Sequence, residues 1–157
     1  MFNIKELFKK GIEKIYLSFE DNKVFTDALT KVYNKNYIIY NEEKIQKFEG
    51  FVTIIDLNNF KHINDTEGHD AGDRVLKEAA SYLKTLTDTV IRFGGDEFIL
   101  LSQSPVKAEG ELYSQGTVIK THDMSFEKTL KIADKAMYKA KKQFYDRTGI
   151  ERRGTVA

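Results

Sequence analysis

Apolar residues change their spacing several times along the chain, from a helical period to short continuous runs and back. Ile4, Leu7, Phe8, Ile12, Ile15 and Tyr16 recur at helical spacing within residues 1–19, with Lys5, Lys9, Lys10 and Lys14 among them. This predicts an N-terminal amphipathic helix that packs on the domain or on a second copy, a basic membrane-surface helix being the weaker alternative. The polar connector "FEDNKVFTDALTKVYNKN" leads into a second predicted helix over 35–48, stopped by Gly50. "FVTIID", Phe51 to Asp56, is an apolar β-branched run too short for a helix and reads as a buried central strand. The Asn-, Asp- and Gly-rich stretch "LNNFKHINDTEGHDAGD" predicts a loop with one short helical turn. In "RVLKEAASYLKTL" the residues Val75, Leu76, Ala79, Ala80 and Leu83 then share one helical face.

The runs "TVIRF" and "FILL" stand four residues apart, which is hairpin spacing. Beyond them, "SQSPVKAEGELYSQGTVIKTHDM" holds the only proline and one predicted strand from about Leu112 to Ile119. The last predicted helix, in "SFEKTLKIADKAMYKAKKQF", takes Ser125 as N-cap and turns Leu130, Ala133, Ala136, Met137 and Ala140 inward. The expected organisation is a helix and connector over 1–24, one domain over 25–147 and a loose tail over 148–157.

Composition narrows the function classes. A chain of 157 residues supports one compact domain with a core. Lys and Arg number 25 against 24 Asp and Glu, so no global basic field argues for nucleic acid, and affinity for phosphate must come from local groups. Cysteine is absent, which removes disulfides, thiolate metal sites and cysteine nucleophiles and fits a reducing cytoplasm. No apolar run is long enough to span a bilayer, and the Lys-rich start lacks the apolar core of a signal peptide.

The chemistry concentrates around "RFGGDEFILL". Asp56 ends the predicted central strand, while Asp96 and Glu97 lie on the hairpin turn. If the hairpin pairs with that strand, three carboxylates meet at one sheet edge, an arrangement that repels itself without a cation and suits Mg²⁺ or Mn²⁺. The following "NNFK", Asn58 to Lys61, offers backbone amides at a helix start and the Lys61 ammonium to an anion. Gly94 and Gly95 are expected to supply positive φ and close approach of a ligand. A Gly-Gly-Asp segment also makes an ordinary turn, so spacing alone leaves the metal and phosphate reading open. His62, His69 and His122 form no metal triad; His69 reads as part of the "GHDAGD" turn and the others as surface residues.

The motifs "DALT" (Asp27 to Thr30), "DLNNFKHIND" (Asp56 to Asp65), "GHDAGD" (Gly68 to Asp73), "RFGGDEF" (Arg92 to Phe98) and "ADKAMYKAK" (Ala133 to Lys141) occur in the order found in GGDEF-domain diguanylate cyclases. Over that span the chain resembles this family. The resemblance implies a palm-like α/β (α+β) fold similar to class III nucleotide cyclases, with a mostly antiparallel central sheet surrounded by helices. It also implies an Mg²⁺-dependent reaction in which two GTP-loaded domains of a homodimer condense their nucleotides into cyclic di-GMP. Asp56, Asp96 and Glu97, with the carbonyl of Leu57, match the metal-binding positions. Glu97 also matches an acid proposed for proton removal, and Lys61 accompanies these acids at the reacting phosphates. Asn59, Phe60, Lys61 and Gly95 match the turns around the phosphates, Asn64 and Asp73 the pair that reads the guanine edge, and Lys141 a lysine that reaches the terminal phosphates. Asn64 and Asp73 read from local sequence alone would be turn and helix-cap residues.

The chain departs from the family pattern in several places. Asn58 stands where a second Asp is usual, and Tyr145 replaces a phosphate-binding arginine at the end of the last helix. Thr85 replaces the arginine of an Arg-x-x-Asp product site whose acid would be Asp88. The segment after "FILL" is too short for the usual helix, which predicts that one side of the sheet is less covered. No sensory domain is expected before the catalytic one, leaving the N-terminal helix as the local candidate for dimerisation. The alternative to an active minimal cyclase is a weak or degenerate GGDEF domain that binds nucleotide or a regulatory protein partner. A related enzyme making another cyclic dinucleotide or oligonucleotide is a third option.

Overall fold

The computed structural model describes residues 23–150. The predicted N-terminal helix and most of the predicted tail lie outside that range. Strand β1 (Tyr33–Asn34) leads directly into α1 (Lys35–Tyr40) and α2 (Glu42–Lys47), followed by β2 (Gly50–Leu57). Next come α3 (Phe60–Glu67), α4 (His69–Leu86), β3 (Thr89–Arg92), β4 (Glu97–Ser102), β5 (Tyr113–Lys120) and α5 (Phe126–Thr148). The strands form one sheet in the order β1-β3-β4-β2-β5, antiparallel throughout except for the β1–β3 pair.

Alternation along the strands divides the core into two layers. On one face, Ile55 and Leu57 of β2, Val90 of β3, and Phe98 and Leu100 of β4 pack against Leu76, Ala79, Ala80 and Leu83 of α4. On the other, Val52 and Ile54, Ile91, Ile99 and Leu101 pack against Phe126, Ala133 and Met137 of α5. β2 is therefore buried on both sides, and its near-continuous apolar run reflects that. β5 makes room for α5 at Gly116, where a Cβ would overlap the Ala133 carbonyl oxygen and the Met137 amide nitrogen. Ala136 lies over this glycine although it remains exposed rather than turned inward.

Several local expectations need correction. The single helix over 35–48 is two short helices broken at Asn41, whose amide side chain donates to the Tyr37 carbonyl and competes with continuation of the turn. "GHDAGD" belongs to α4 rather than to a loop. Gly68, at φ 87°, breaks the chain after α3, and the next helix begins immediately. The strand placed at Leu112 to Ile119 runs one residue later. The segment 103–112 has no helix but is not bare: Val106, Ala108 and Leu112 pack on the α4-side core. Three side chains pin its backbone, with Ala108 N–H donating to Gln115, Glu109 N–H to the Tyr82 hydroxyl, and Asn58 donating to the Glu111 carbonyl.

Candidate active site

Strand parity places the acids. Asp56 falls on the same face as Val52 and Ile54, and Glu97 on the same face as Ile99 and Leu101, so both point toward α5. The β2–β4 register sets Asp56 directly opposite Glu97, within the range where cross-strand side chains interact. Asp96 precedes Glu97 at the turn, and its carbonyl accepts from Leu57 N–H at 3.1 Å. From α5, Lys141 extends its ammonium to Asp56 Oδ1 at 2.6 Å, in a pair whose side chains are only 17% and 7% exposed.

Electrostatics follow from this crowding. Burial raises the Glu97 carboxyl above its ordinary range, and the negative charges of Asp56, Asp96 and Asp134 add to the effect, with Lys141 opposing it. Glu97 thus lies close enough to Asp56 and Asp96 to feel the charge of both. Among the described residues no group of three or more acid, histidine or cysteine side chains is placed so that it could hold a metal ion, and Asp56 already has a cation beside it. Carboxylate oxygens are the donor type for a hard divalent ion, which here would have to take most of its shell from waters and ligand oxygens.

The turn carrying Asp96 is held from outside. Arg92 donates from Nε and Nη2 to the Gly95 carbonyl, at 3.1 and 2.7 Å, and from Nη1 to Asp27 Oδ2 at 3.1 Å. Asp27 Oδ2 also accepts from the Thr30 amide and hydroxyl. "DALT" and "RFGGDEF" are therefore one structural unit linked by a guanidinium. Neither Gly94 nor Gly95 takes the positive φ expected of it. What Gly94 contributes is space, since a Cβ there would meet Glu97 Oε2 at 3.0 Å, while a Cβ at Gly95 would meet nothing within 4 Å.

Positive φ occurs instead at Asn59, φ 60° and ψ 12°, which precedes the first turn of α3. Its N–H donates to the Tyr145 hydroxyl at 3.2 Å. A cleft of about 590 Å³ opens here, its walls including Leu57, Asn59, Phe60, Lys61, Asp96 and Lys141. His62, Asp65, Thr66, Tyr145 and Ile150 also line it. His62 is exposed, in line with its reading as a surface residue, and the helical spacing of 62, 65 and 66 is the signal that all three share the side of α3 facing the cleft.

The structure brings Asp56, Leu57, Asn59, Phe60, Lys61, Gly95, Asp96, Glu97 and Lys141 to one end of the sheet. Asn64 and Asp73 stand apart from the cleft wall. Asn64 is half-buried against Gly72, where a Cβ would overlap its Oδ1, and Asp73 is exposed one residue further along α4. The two remain neighbours at the α3–α4 contact. Asn58 does not line this cleft: it is buried, accepts from Ser114 Oγ at 2.7 Å and donates to the Glu111 carbonyl at 2.8 Å.

The chain is similar to known proteins in sequence and in fold. The family model described as the diguanylate cyclase GGDEF domain matches residues 24–116. Diguanylate cyclase DgcS of Shewanella oneidensis is 32% identical, over 73% of this chain and 49% of its own. Probable diguanylate cyclase DgcC of Escherichia coli is 33% identical, over 79% and 42%. The chain thus spans about half or less of the length of these relatives. Among solved structures, diguanylate cyclase SiaD of Pseudomonas aeruginosa, in complex with its activator SiaC, superposes with a TM-score of 0.70 at 22% identity, covering 89% of this chain and 66% of that one. The coiled coil and GGDEF domain of DgcB from Caulobacter crescentus, in complex with c-di-GMP, gives 0.67 at 19% identity, covering 98% and 93%. At these identities the structural likeness speaks for the fold.

Proposed function

The chain belongs to the GGDEF domain family of diguanylate cyclases, and from that premise we propose that it condenses two GTP into cyclic di-GMP across a homodimer. The observation that carries this reading is that Asp56 stands opposite Glu97 in the β2–β4 ladder, next to Asp96, which with Lys61 and Lys141 lines the cleft. Asp56 and Asp96, assisted by the Leu57 carbonyl and Glu97, would hold Mg²⁺ or Mn²⁺, which when bound neutralises phosphate charge and polarises the reacting phosphoryl group. Lys61 and Lys141 bind the polyphosphate, and the α3 amides after Asn59 orient it. Glu97, whose carboxyl is raised by burial and by its acidic neighbours, is the base suited to take the proton of the 3′-hydroxyl. That hydroxyl oxygen bonds to the α-phosphorus of the second GTP, the bond to the bridging oxygen breaks, and pyrophosphate leaves. Two such steps close the ring. Asn64 and Asp73 read the guanine edge from the α3–α4 contact, with Asp73 accepting from the base N1 and N2 groups.

A second reading is a domain that binds nucleotide, or a regulatory protein, without turning nucleotide over. The close Lys141–Asp56 pair favours it, because a cation must compete with the lysine for this carboxylate. Purified protein incubated with GTP, ATP and Mg²⁺, with products identified by mass spectrometry, separates the two. Cyclic di-GMP from wild type and none from Asp96→Ala supports the cyclase. GTP binding without product supports the second reading. Specific activity that rises with protein concentration would support the dimer.

A further inference from the structure

We infer that Tyr145 is a ligand-binding residue of the cleft, whose phenolic oxygen fixes the Asn59 turn while its proton is donated to a phosphate oxygen of a bound polyphosphate. The inference deepens the proposed function and rests on it only in naming that polyphosphate as the triphosphate of GTP.

Three observations combine. The Tyr145 hydroxyl reaches from α5 to a residue 86 positions earlier and accepts the Asn59 N–H at 3.2 Å. Asn59 has φ 60° and no side-chain cap bond, and its carbonyl accepts from Ile63 N–H at 3.0 Å, so the amide contact with the last helix holds its other backbone group just before the first turn of α3. A phenol carries one donor and can accept as well. Among the described residues the Tyr145 hydroxyl has this one hydrogen bond, in which it accepts, and the O–H is left to donate.

The second observation is location. Asn59, Lys61, Lys141 and Tyr145 all line the same cleft of about 590 Å³. Lys141 and Tyr145 stand one helical turn apart, on the same side of α5. Two ammonium groups and an O–H donor therefore border one space, a set suited to an extended anion with several oxygens. The third observation is that the ring is held in place: Tyr145 is half-buried and packs edge-on against Phe144, with centroids 5.2 Å apart at 81°. A residue at this position must accept an amide proton as well as donate. Arginine, with five donors and no acceptor, can do only the second. The chain thus exchanges a full charge for a neutral group that serves turn and ligand together.

The test is calorimetric titration of the full chain with inorganic tripolyphosphate in Mg²⁺ buffer, comparing wild type with Tyr145→Phe. Phenylalanine keeps the ring and its contact with Phe144 and removes only the hydroxyl. We expect affinity to fall about tenfold or more, because a hydrogen bond to a charged oxygen is lost, with the ligand-free melting temperature moving by no more than a few degrees. Equal affinity in the two proteins, or no measurable binding to wild type, overturns the assignment. A large fall in ligand-free melting temperature accompanying the loss would mean that Tyr145 only holds the fold, and would overturn it too. If tripolyphosphate binding depends on Tyr145 while GTP gives no cyclic product, the cyclase reading fails and this assignment stands.

Discussion

Lys141→Met would remove the cation now beside the acidic cluster while keeping an unbranched apolar stem of similar reach. The Lys141–Asp56 pair is short, at 2.6 Å, and its two side chains are 17% and 7% exposed. Breaking a buried pair from one side costs about 3–5 kcal/mol, because the remaining charge stays buried after losing its counter-charge. Here Asp56 also faces Glu97 across the sheet, so a cost within that range stands until one of the acids takes up a proton. For a domain of this size, each kcal/mol moves the melting temperature by roughly 2–4 °C, giving a loss of about 6–20 °C. Melting curves followed by circular dichroism in a chelating buffer would measure it. Added Mg²⁺ or Mn²⁺, without nucleotide, should then stabilise the variant by about 2.7 kcal/mol at a hundred times its dissociation constant. It should do much less for wild type, where the ion must displace the lysine. Lys141→Arg, which keeps the charge, should melt near wild type. If Lys141→Met melts like wild type in chelator, or gains no more than wild type from the ions, the lysine is not the internal counter-charge of a cation site.

Three further outcomes follow from the geometry. Gly116→Ala places a methyl group into the backbone of α5 at Ala133 and Met137, where no rotamer change gives relief. It should cost about 1–3 kcal/mol or more in urea unfolding. Asn58→Asp keeps the acceptor for Ser114 Oγ but loses the donor to the Glu111 carbonyl. A destabilisation of about 1–3 kcal/mol at neutral pH is expected, shrinking in acid as the new carboxyl takes up a proton; stability equal to wild type at neutral pH would show that the amide donor is dispensable. For Asp27, burial pushes the carboxyl up, but the Thr30 hydroxyl and amide and the Arg92 guanidinium outweigh it and leave the group below its ordinary range. A depressed folded value means that the stability is present above the unfolded value of about 3.9 and is lost as pH falls through the folded one. Asp27→Asn should therefore lie below wild type at neutral pH and converge with it below about pH 4, as read from unfolding midpoints across pH.

What could be read from the sequence was what depends on period and order. The runs at Phe51 to Asp56 and Phe98 to Leu101 announce strands because a strand covered on both faces has no polar positions to interrupt it. The site acids were legible as well, since their motifs occur in family order and strand parity fixes the face they share. Expectations failed where a side chain acts on backbone. Asn41 splits a helix by bonding to the Tyr37 carbonyl, and Asn59 takes the left-handed conformation assigned to the hairpin glycines. His62, Asp65 and Thr66 share one side of α3 by their spacing, but that this side lines the cleft depends on where α3 docks.

Three of the departures from the family pattern, at Asn58, Tyr145 and the short segment 103–112, occupy one continuous set of contacts. The segment has no helix to anchor it, and one of the side chains that pin it is Asn58, whose amide donates to the Glu111 carbonyl. An aspartate at 58 would present a second acceptor to that carbonyl, so the asparagine and the short loop require each other. Glu111 also extends its carboxylate to Arg147 on α5, at 2.9 Å, two residues beyond Tyr145. Both partners of that pair are about two-thirds exposed, which limits its worth to about 0–1 kcal/mol; the buried Asn58 bond is the stronger link. Tyr145 in turn holds Asn59, the neighbour of Asn58, and closes the circuit. An arginine placed at 145 alone would lose that closure, and an aspartate at 58 alone would loosen the loop. The two substitutions that look like independent losses of binding groups are, in this fold, parts of one rearranged support for the Asn59 turn.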